Sequence, residues 1–333
     1  MALAEFIIDT KRFSIETLKQ LTQTPHTLKL DNAVVDIVSK NRAFLERKLA
    51  EPNARYYGIN TGFGALCDVK ISNENIEQLQ ENLVMSHACG MGDEVKPEVA
   101  KLMLLLKIKG LSLGSSGVCV ETIQKLVDFY NADVIPLIWE VGSLGASGDL
   151  APLAHMSLPL LGMGEVRYKG ERMKTADALK QANIQSIKLH SKEGLALLNG
   201  TQFMSAWGSF SVMESERVEK LADLTAAISV DAFNAQTAPF HPAIQKIRNH
   251  TGQMESAANV LKFLEGSEIA AQPKNNVQDP YSFRCVPQVH GAVRGVIEHV
   301  KSVFDREINA VTENTLAFED EDLIISAGNF YAQ

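Results

Sequence analysis

The chain has 333 residues, 45% of them hydrophobic and 22% charged, with a formal net charge of -8. That length buries a substantial core and ordinarily makes one large domain or two smaller ones, and the composition is that of a globular protein. An acidic balance with no run of Lys or Arg excludes the broad phosphate neutralisation that DNA or RNA binding needs, so no nucleic-acid partner is expected.

The chain opens MALAEFIIDTKRF, with Glu5 and Asp9 where a signal peptide would be basic and then uniformly apolar, so a cytoplasmic location is expected. A glycine-rich loop, GINTGFG, follows at 58–64. Ile76, Leu79 and Leu83 then form a helical stripe behind Ser72 and Asn73 as caps, with Glu74 and Glu77 in the first turn. That helix would deliver Ser86 and His87 at its end. A second helix is predicted to open with Pro97 and close near Gly110. Another glycine-rich loop, GSLGASG, occupies 142–148, and the longest uncharged apolar run follows from Leu150 to Gly164. The run is shorter than the roughly 20 residues of a membrane span and carries Pro152 and Pro159, so it is read as core, with no membrane association.

EVRYKGERM, at 165–173, reads as a hairpin turning at Lys169-Gly170. From Phe203 to Gln236 no proline occurs, and Phe203, Trp207, Phe210, Val218, Leu221, Ile228 and Ala232 keep an apolar face opposite Glu214, Glu219 and Asp223. After a third loop, NNVQDPYSFR at 275–284, a stripe runs from Val289 through Val293, Val296, Val300, Val303 and Ile308 to Val311. The acidic run Glu319 to Asp322 is expected to be a solvated loop. Two helices this long predict a mainly α fold, a long-helix bundle with small β hairpins.

Standard catalytic motifs are missing. Cys67, Cys89, Cys119 and Cys285 form no C-x-x-C pair, and the eight histidines form no H-E-x-x-H, so no metal is expected. Gly162-Met163-Gly164 lacks the third glycine of a dinucleotide loop and there is no Walker A sequence, so no nucleotide is expected either. Ser147 does not sit in G-x-S-x-G, which weakens a hydrolase reading. It does sit between glycine-containing segments, where the Gly148 nitrogen can approach the Ala146 carbonyl because glycine has no Cβ to obstruct it. Closure, with loss of water and of the serine hydroxyl, would give a methylene conjugated to a carbonyl. Such a serine needs no base, because it is consumed.

GASGDLAPLAH, at 145–155, resembles the cofactor-forming signature of the aromatic amino-acid ammonia-lyases. YGINTGFG (57–64), SHACGMG (86–92), LALLNGTQ (195–202), VQDPYSFRCVPQVHGA (277–292) and GNF (328–330) resemble further segments of that family, in its order and approximate spacing. The resemblance implies the ammonia-lyase architecture and 4-methylideneimidazol-5-one formed from Ala146, Ser147 and Gly148, with Asp149 aiding closure. It implies Tyr57 as the base that removes the β proton and Arg284 as the grip on the substrate carboxylate. Asn199 and Tyr281 match residues that hydrogen-bond the electrophile's oxygen or the substrate, and Gln278 and Phe330 match pocket residues. The residue types suit these tasks. A guanidinium fixes a carboxylate through two parallel hydrogen bonds, and a phenol acting as a base near neutrality needs a positive or hydrogen-bonded setting.

The pair Ser86-His87 resembles the histidine-specific members, where other branches carry His-Leu or Phe-Leu. The resemblance therefore implies deamination of L-histidine to trans-urocanate and ammonia, in a homotetramer whose sites draw on several subunits. Tyr331 stands where those members carry a histidine, and Glu313-Asn314-Thr315-Leu316 replaces their D-N-P stretch. Gln333 falls where the family continues through further helices. The chain is accordingly expected to be a single ammonia-lyase domain without its C-terminal part, with a cofactor-bearing region at about 1–200 and long helices at about 201–333. A tyrosine ammonia-lyase, an aminomutase, or a catalytically silent short homologue are the alternative readings.

Overall fold

A computed structural model describes residues 3–144 and 148–331. Ala146 and Ser147, two of the three positions expected to form the cofactor, lie outside the described residues, as does the side chain of Asn73. The chain divides into two compact units, one of residues 1–208 and 305–333 and one of residues 209–304.

The first unit opens with a parallel pair, β1 (Ala4–Ile8) and β2 (His26–Leu30), in register Ala4 to His26 through Ile8 to Leu30. Between them lies α1 (Ile15–Gln23), closed at its start by a capping box of Ser14 and Thr17. Helix α2 (Asn32–Leu49) follows, with the Asp31 side chain accepting from Ala33 N. Next comes α3 (Ile76–His87), whose N-cap position is Asn75 without a side-chain cap bond; Ser72 instead accepts the Asn75 side-chain amide. The buried stripe of α3 is Ile76, Gln80, Leu83 and Val84, with Leu79 only half-buried, so the predicted stripe is corrected at one position by a buried glutamine.

Strand β3 (Met91–Glu94) pairs with β5 (Trp139–Val141). Between them α4 (Pro97–Leu111) begins with its proline in the first turn, as expected. Helix α4 is buried from Leu102 to Lys109, including Lys107 and Lys109 at 2% and 0% exposure, and α5 (Val120–Asn131) packs against it. Strand β4 (Val134–Pro136) extends the expected hairpin, β6 (Glu165–Tyr168) and β7 (Glu171–Lys174), into a three-stranded sheet. Lys169 and Gly170 both have positive φ, 53° and 83°, the two-residue turn that matches strand twist. Helices α6 (Leu150–Ser157), α7 (Thr175–Ala182) and α8 (Glu193–Leu198) complete this stretch, and α3, α6 and α8 pack on one another.

The long helix α9 (Gln202–Ala232) begins in the first unit and continues into the second. There, α10 (Pro242–Arg248), α11 (Thr251–Phe263) and the single turn α12 (Tyr281–Arg284) precede α13 (Val286–Glu307), which re-enters the first unit at Asp305. Both long helices are present, with α9 ending four residues before Gln236 and α13 starting before Val289 and stopping short of Val311. The second unit's core gathers Ala227, Val230, Phe240, Ala257, Val260 and Val286. The acidic run is the turn of a short hairpin, β8 (Leu316–Phe318) and β9 (Leu323–Ile325), and Asp322 there pairs with Lys48. Among the described residues no helix is long and apolar enough to cross a membrane.

Candidate active site

A cavity of about 440 Å³ in the first unit is lined by Tyr57, His87, Asn199 and Phe330, four of the residues singled out from sequence. Leu83, Leu150, Leu195 and Leu198 give it an apolar wall, as concave small-molecule sites usually have. Each polar group reaches the cavity from a different element. The packed trio α3, α6 and α8 supplies His87 from the end of α3 and Asn199 from the C-cap of α8.

Gln80 fixes the loop that carries Tyr57. Its side chain, fully buried, donates to Gly58 O at 3.1 Å and accepts from Leu195 N at 3.1 Å, so loop and α8 share one amide. α3 and α8 approach so closely that a Cβ on Gly194 would lie 2.5 Å from Gln80 O. Thr315 donates to Tyr57 O at 2.9 Å, and the Tyr57 hydroxyl accepts from Gly64 N at 3.4 Å. The Tyr57 ring meets Phe63 edge to face at 6.2 Å.

His87 Nδ1 lies 2.9 Å from Leu83 O. A carbonyl oxygen only accepts, so Nδ1 carries the hydrogen and Nε2 is the acceptor this ring has to offer. Phe330 stacks on Tyr331 with centroids 5.4 Å apart. Asn314 and Ser326 also line the cavity, joined by a 3.1 Å hydrogen bond, while Asn314 Oδ1 accepts from Ala327 N at 2.8 Å. Asn314 falls in the stretch that stands in place of the family's D-N-P and reads from sequence only as a departure, and Ser326 lies in a segment without a motif of its own.

Gly148 is the described member of the tripeptide expected to form the cofactor. Its φ is +83°, and a Cβ there would fall 2.7 Å from Gly200 O and 2.8 Å from Gly200 N, so only glycine fits this seat. The next peptide continues the contact, Asp149 N donating to Gly200 O at 2.8 Å. The Asp149 carboxylate accepts from Phe203 N and Met204 N at 2.9 and 3.0 Å and from Ser143 Oγ at 2.7 Å, which makes it the anchor for the first turn of α9. Burial raises its pKa above the usual carboxylate value, against these bonds, which lower it. A side-chain-free position pressed against a second glycine fits a segment that must fold onto its own backbone.

Gln278, Tyr281 and Arg284 belong to the second unit and contribute nothing to the lining of this cavity. Gln278 is exposed and Tyr281 is 70% exposed. Arg284 lies with its guanidinium carbon 3.9 Å from the Tyr281 ring centroid and donates from Nε to Asp279 O at 3.0 Å. Asp279, 3% exposed, in turn accepts from Gln236 N, tying the loop to the end of α9.

The family described as aromatic amino acid lyase matches residues 13–333, and the chain belongs to that family. Within it, the chain is similar to proteins named for histidine. It is 49% identical over 297 residues to a histidine ammonia-lyase of Symbiobacterium thermophilum, across 89% of this chain and 58% of that one. The crystal structure of a histidine ammonia-lyase from Trypanosoma cruzi matches with TM-score 0.87 and 34% identity, across 98% of this chain and 61% of that one. A Pantoea agglomerans phenylalanine aminomutase matches with TM-score 0.90 and 29% identity, across 98% of this chain and 66% of that one. The chain thus spans less than two thirds of the length of each of these relatives. The expected ammonia-lyase architecture is the one observed.

Proposed function

We propose that the protein is a carbon-nitrogen lyase that removes ammonia from L-histidine to give trans-urocanate. The observation that carries this reading is the meeting of Tyr57, His87, Asn199 and Phe330 in one cavity of substrate size. The seating of Gly148 against Gly200 supports formation of 4-methylideneimidazol-5-one from Ala146, Ser147 and Gly148. Once formed, that group supplies an electrophile at which the substrate is activated for loss of ammonia.

The chain's own residues do the rest. His87 receives the substrate's imidazole N–H at Nε2, the nitrogen left as acceptor by its bond to Leu83. Tyr57 takes the β proton at its oxygen in the phenolate form, whose negative charge before the transfer is faced by the Gly64 N–H. Arg284 holds the carboxylate with its terminal nitrogens, Nε being engaged by Asp279. Tyr281 and Asn199 supply hydrogen bonds, Gln278 a polar pocket wall, and Phe330 with the leucines keeps water out. We read the chain as one lyase domain, cofactor-bearing at about 1–200 and helical at about 201–333. It works in a cytoplasmic homotetramer whose sites are shared between subunits, with the amino acid as its partner.

The test is urocanate formation from L-histidine, followed by absorbance, with tyrosine and phenylalanine as competitors and β-amino products sought. Ser147→Ala should abolish the reaction. A Ser147→Ala rate equal to the parent's ends the cofactor reading, and a parent that makes no urocanate at any protein concentration ends the assigned activity.

A further inference from the structure

Lys107 is a cation in a place that needs explaining. It sits in α4 within the run Leu104, Leu105, Leu106 and Ile108, all at most 2% exposed, and is itself 2% exposed. Burying an ammonium is costly unless it is paired and hydrogen-bonded, so an apolar residue would be the ordinary occupant. Burial lowers its pKa to about 8, opposed by the charges of Glu313 and Asp149 and assisted by that of Lys192. Glu313 is already paired with Lys192 at 3.2 Å, so it is not there to neutralise Lys107 alone.

The Lys107 ammonium donates to Asn199 O at 2.8 Å. That carbonyl and the Gly200 N–H belong to one planar trans peptide, so they point in opposite directions and the orientation of one fixes the other. The Gly200 nitrogen is the atom 2.8 Å from where a Gly148 Cβ would stand, and Gly200 O takes the Asp149 N–H. On the near side of the same peptide, Asn199 lines the cavity. An ammonium on the carbonyl also polarises the peptide and strengthens its N–H as a donor in a low-dielectric interior.

We propose that Lys107 is a positioning residue: its ammonium holds the Asn199–Gly200 peptide so that Gly148 is seated for ring closure and Asn199 is presented to the cavity. The inference rests on the cofactor reading above. The closure it serves joins Gly148 N to the Ala146 carbonyl carbon. The carbonyl oxygen leaves as one water with the hydrogens of Gly148 N and Ser147 N, giving a carbon–nitrogen double bond. The Ser147 hydroxyl leaves as a second water with the Cα hydrogen, giving the methylene. Nothing is oxidised or reduced, and Lys107 is not consumed.

The experiment is the intact mass of the purified full chain, of Lys107→Met and of Lys107→Arg, with circular dichroism and thermal unfolding of each. The parent should be lighter than its sequence by two waters, Lys107→Met should keep the parent's helical spectrum at the full uncyclised mass, and Lys107→Arg should recover the deficit. A folded Lys107→Met chain that loses both waters as completely as the parent overturns the inference while leaving the cofactor reading intact. If Lys107→Met does not fold, the arginine variant decides: folded and lighter by two waters supports the role, folded at full mass refutes it. A parent at full mass removes the cofactor reading itself and this inference with it.

Discussion

The two units treat their apolar surface in opposite ways. In the first, α4 is submerged, and even Lys107 and Lys109 are covered. In the second, α9 and α13 leave Val218, Ile228, Val289, Val293 and Val296 between 52% and 63% exposed. The same contrast runs through the candidate catalytic groups. Tyr57 and Asn199 sit on backbone held by buried hydrogen bonds and the His87 ring is tied to Leu83 O, whereas Gln278 and Tyr281 stand on an exposed loop. One unit gathers candidate groups around a cavity of its own; the other presents apolar faces of the kind the proposed tetramer would cover.

That contrast can be broken most sharply inside the second unit. Arg294 is 9% exposed and bridges Asp223 at 2.7 Å and Glu219 at 2.6 Å, with His290 also on Asp223. Removing one partner of a buried ionic cluster leaves uncompensated charge, so Arg294→Met should cost about 3–5 kcal/mol. Hydrogen exchange should quicken in residues 209–304, and equal loss of protection in α4 would deny that the units are separately stabilised.

Lys107 gives a comparable effect in the first unit, read through pH. Its native pKa is lowered to about 8 from 10.5, so between these values the unfolded chain binds more protons and stability rises with pH. Below about 8 the burial penalty is fully present. The stability of the parent relative to Lys107→Met should therefore improve by about 3 kcal/mol from pH 8 to 10.5. A flat difference would mean the ammonium is not desolvated.

Gln80→Leu should cost about 2 kcal/mol, because Gly58 O and Leu195 N lose a shared partner in a buried place. Its signature is a loosened Tyr57 loop, seen as faster amide exchange at 57–64, and unchanged exchange there would dismiss the role given to Gln80. The smallest effect belongs to the exposed face: Val296→Ser should change the unfolding free energy of the monomer by less than about 0.5 kcal/mol. A weakened assembly, measured by sedimentation, would sharpen the contrast, and a large loss of monomer stability would erase it.

Much of this was legible in the residues. Periodicity located α3, α9 and α13, Pro97 and Gly110 located α4, and Lys169-Gly170 located the hairpin, because those signals are local. The parallel pair β1 and β2 was not foreseen, since its strands join across a helix rather than a turn, and β8 and β9 are too short for alternation to register. Gln80, Lys107 and Lys109 were invisible for another reason: a polar letter in an apolar stripe reads as surface until its buried partner is known. The candidate site residues Tyr57, His87 and Asn199 came through resemblance to family segments, whereas Asn314 and Ser326 reach the cavity only through the return of the chain to the first unit.

That return has a consequence for how the protein is made. A nascent chain that has emerged from the ribosome as far as residue 208 already holds Tyr57, His87, Gly148 and Asn199, but Asn314, Ser326 and Phe330 have yet to be translated. Thr315, which pins the Tyr57 backbone, arrives with them. Synthesis therefore has to pass through the whole second unit before the cavity gains its last wall.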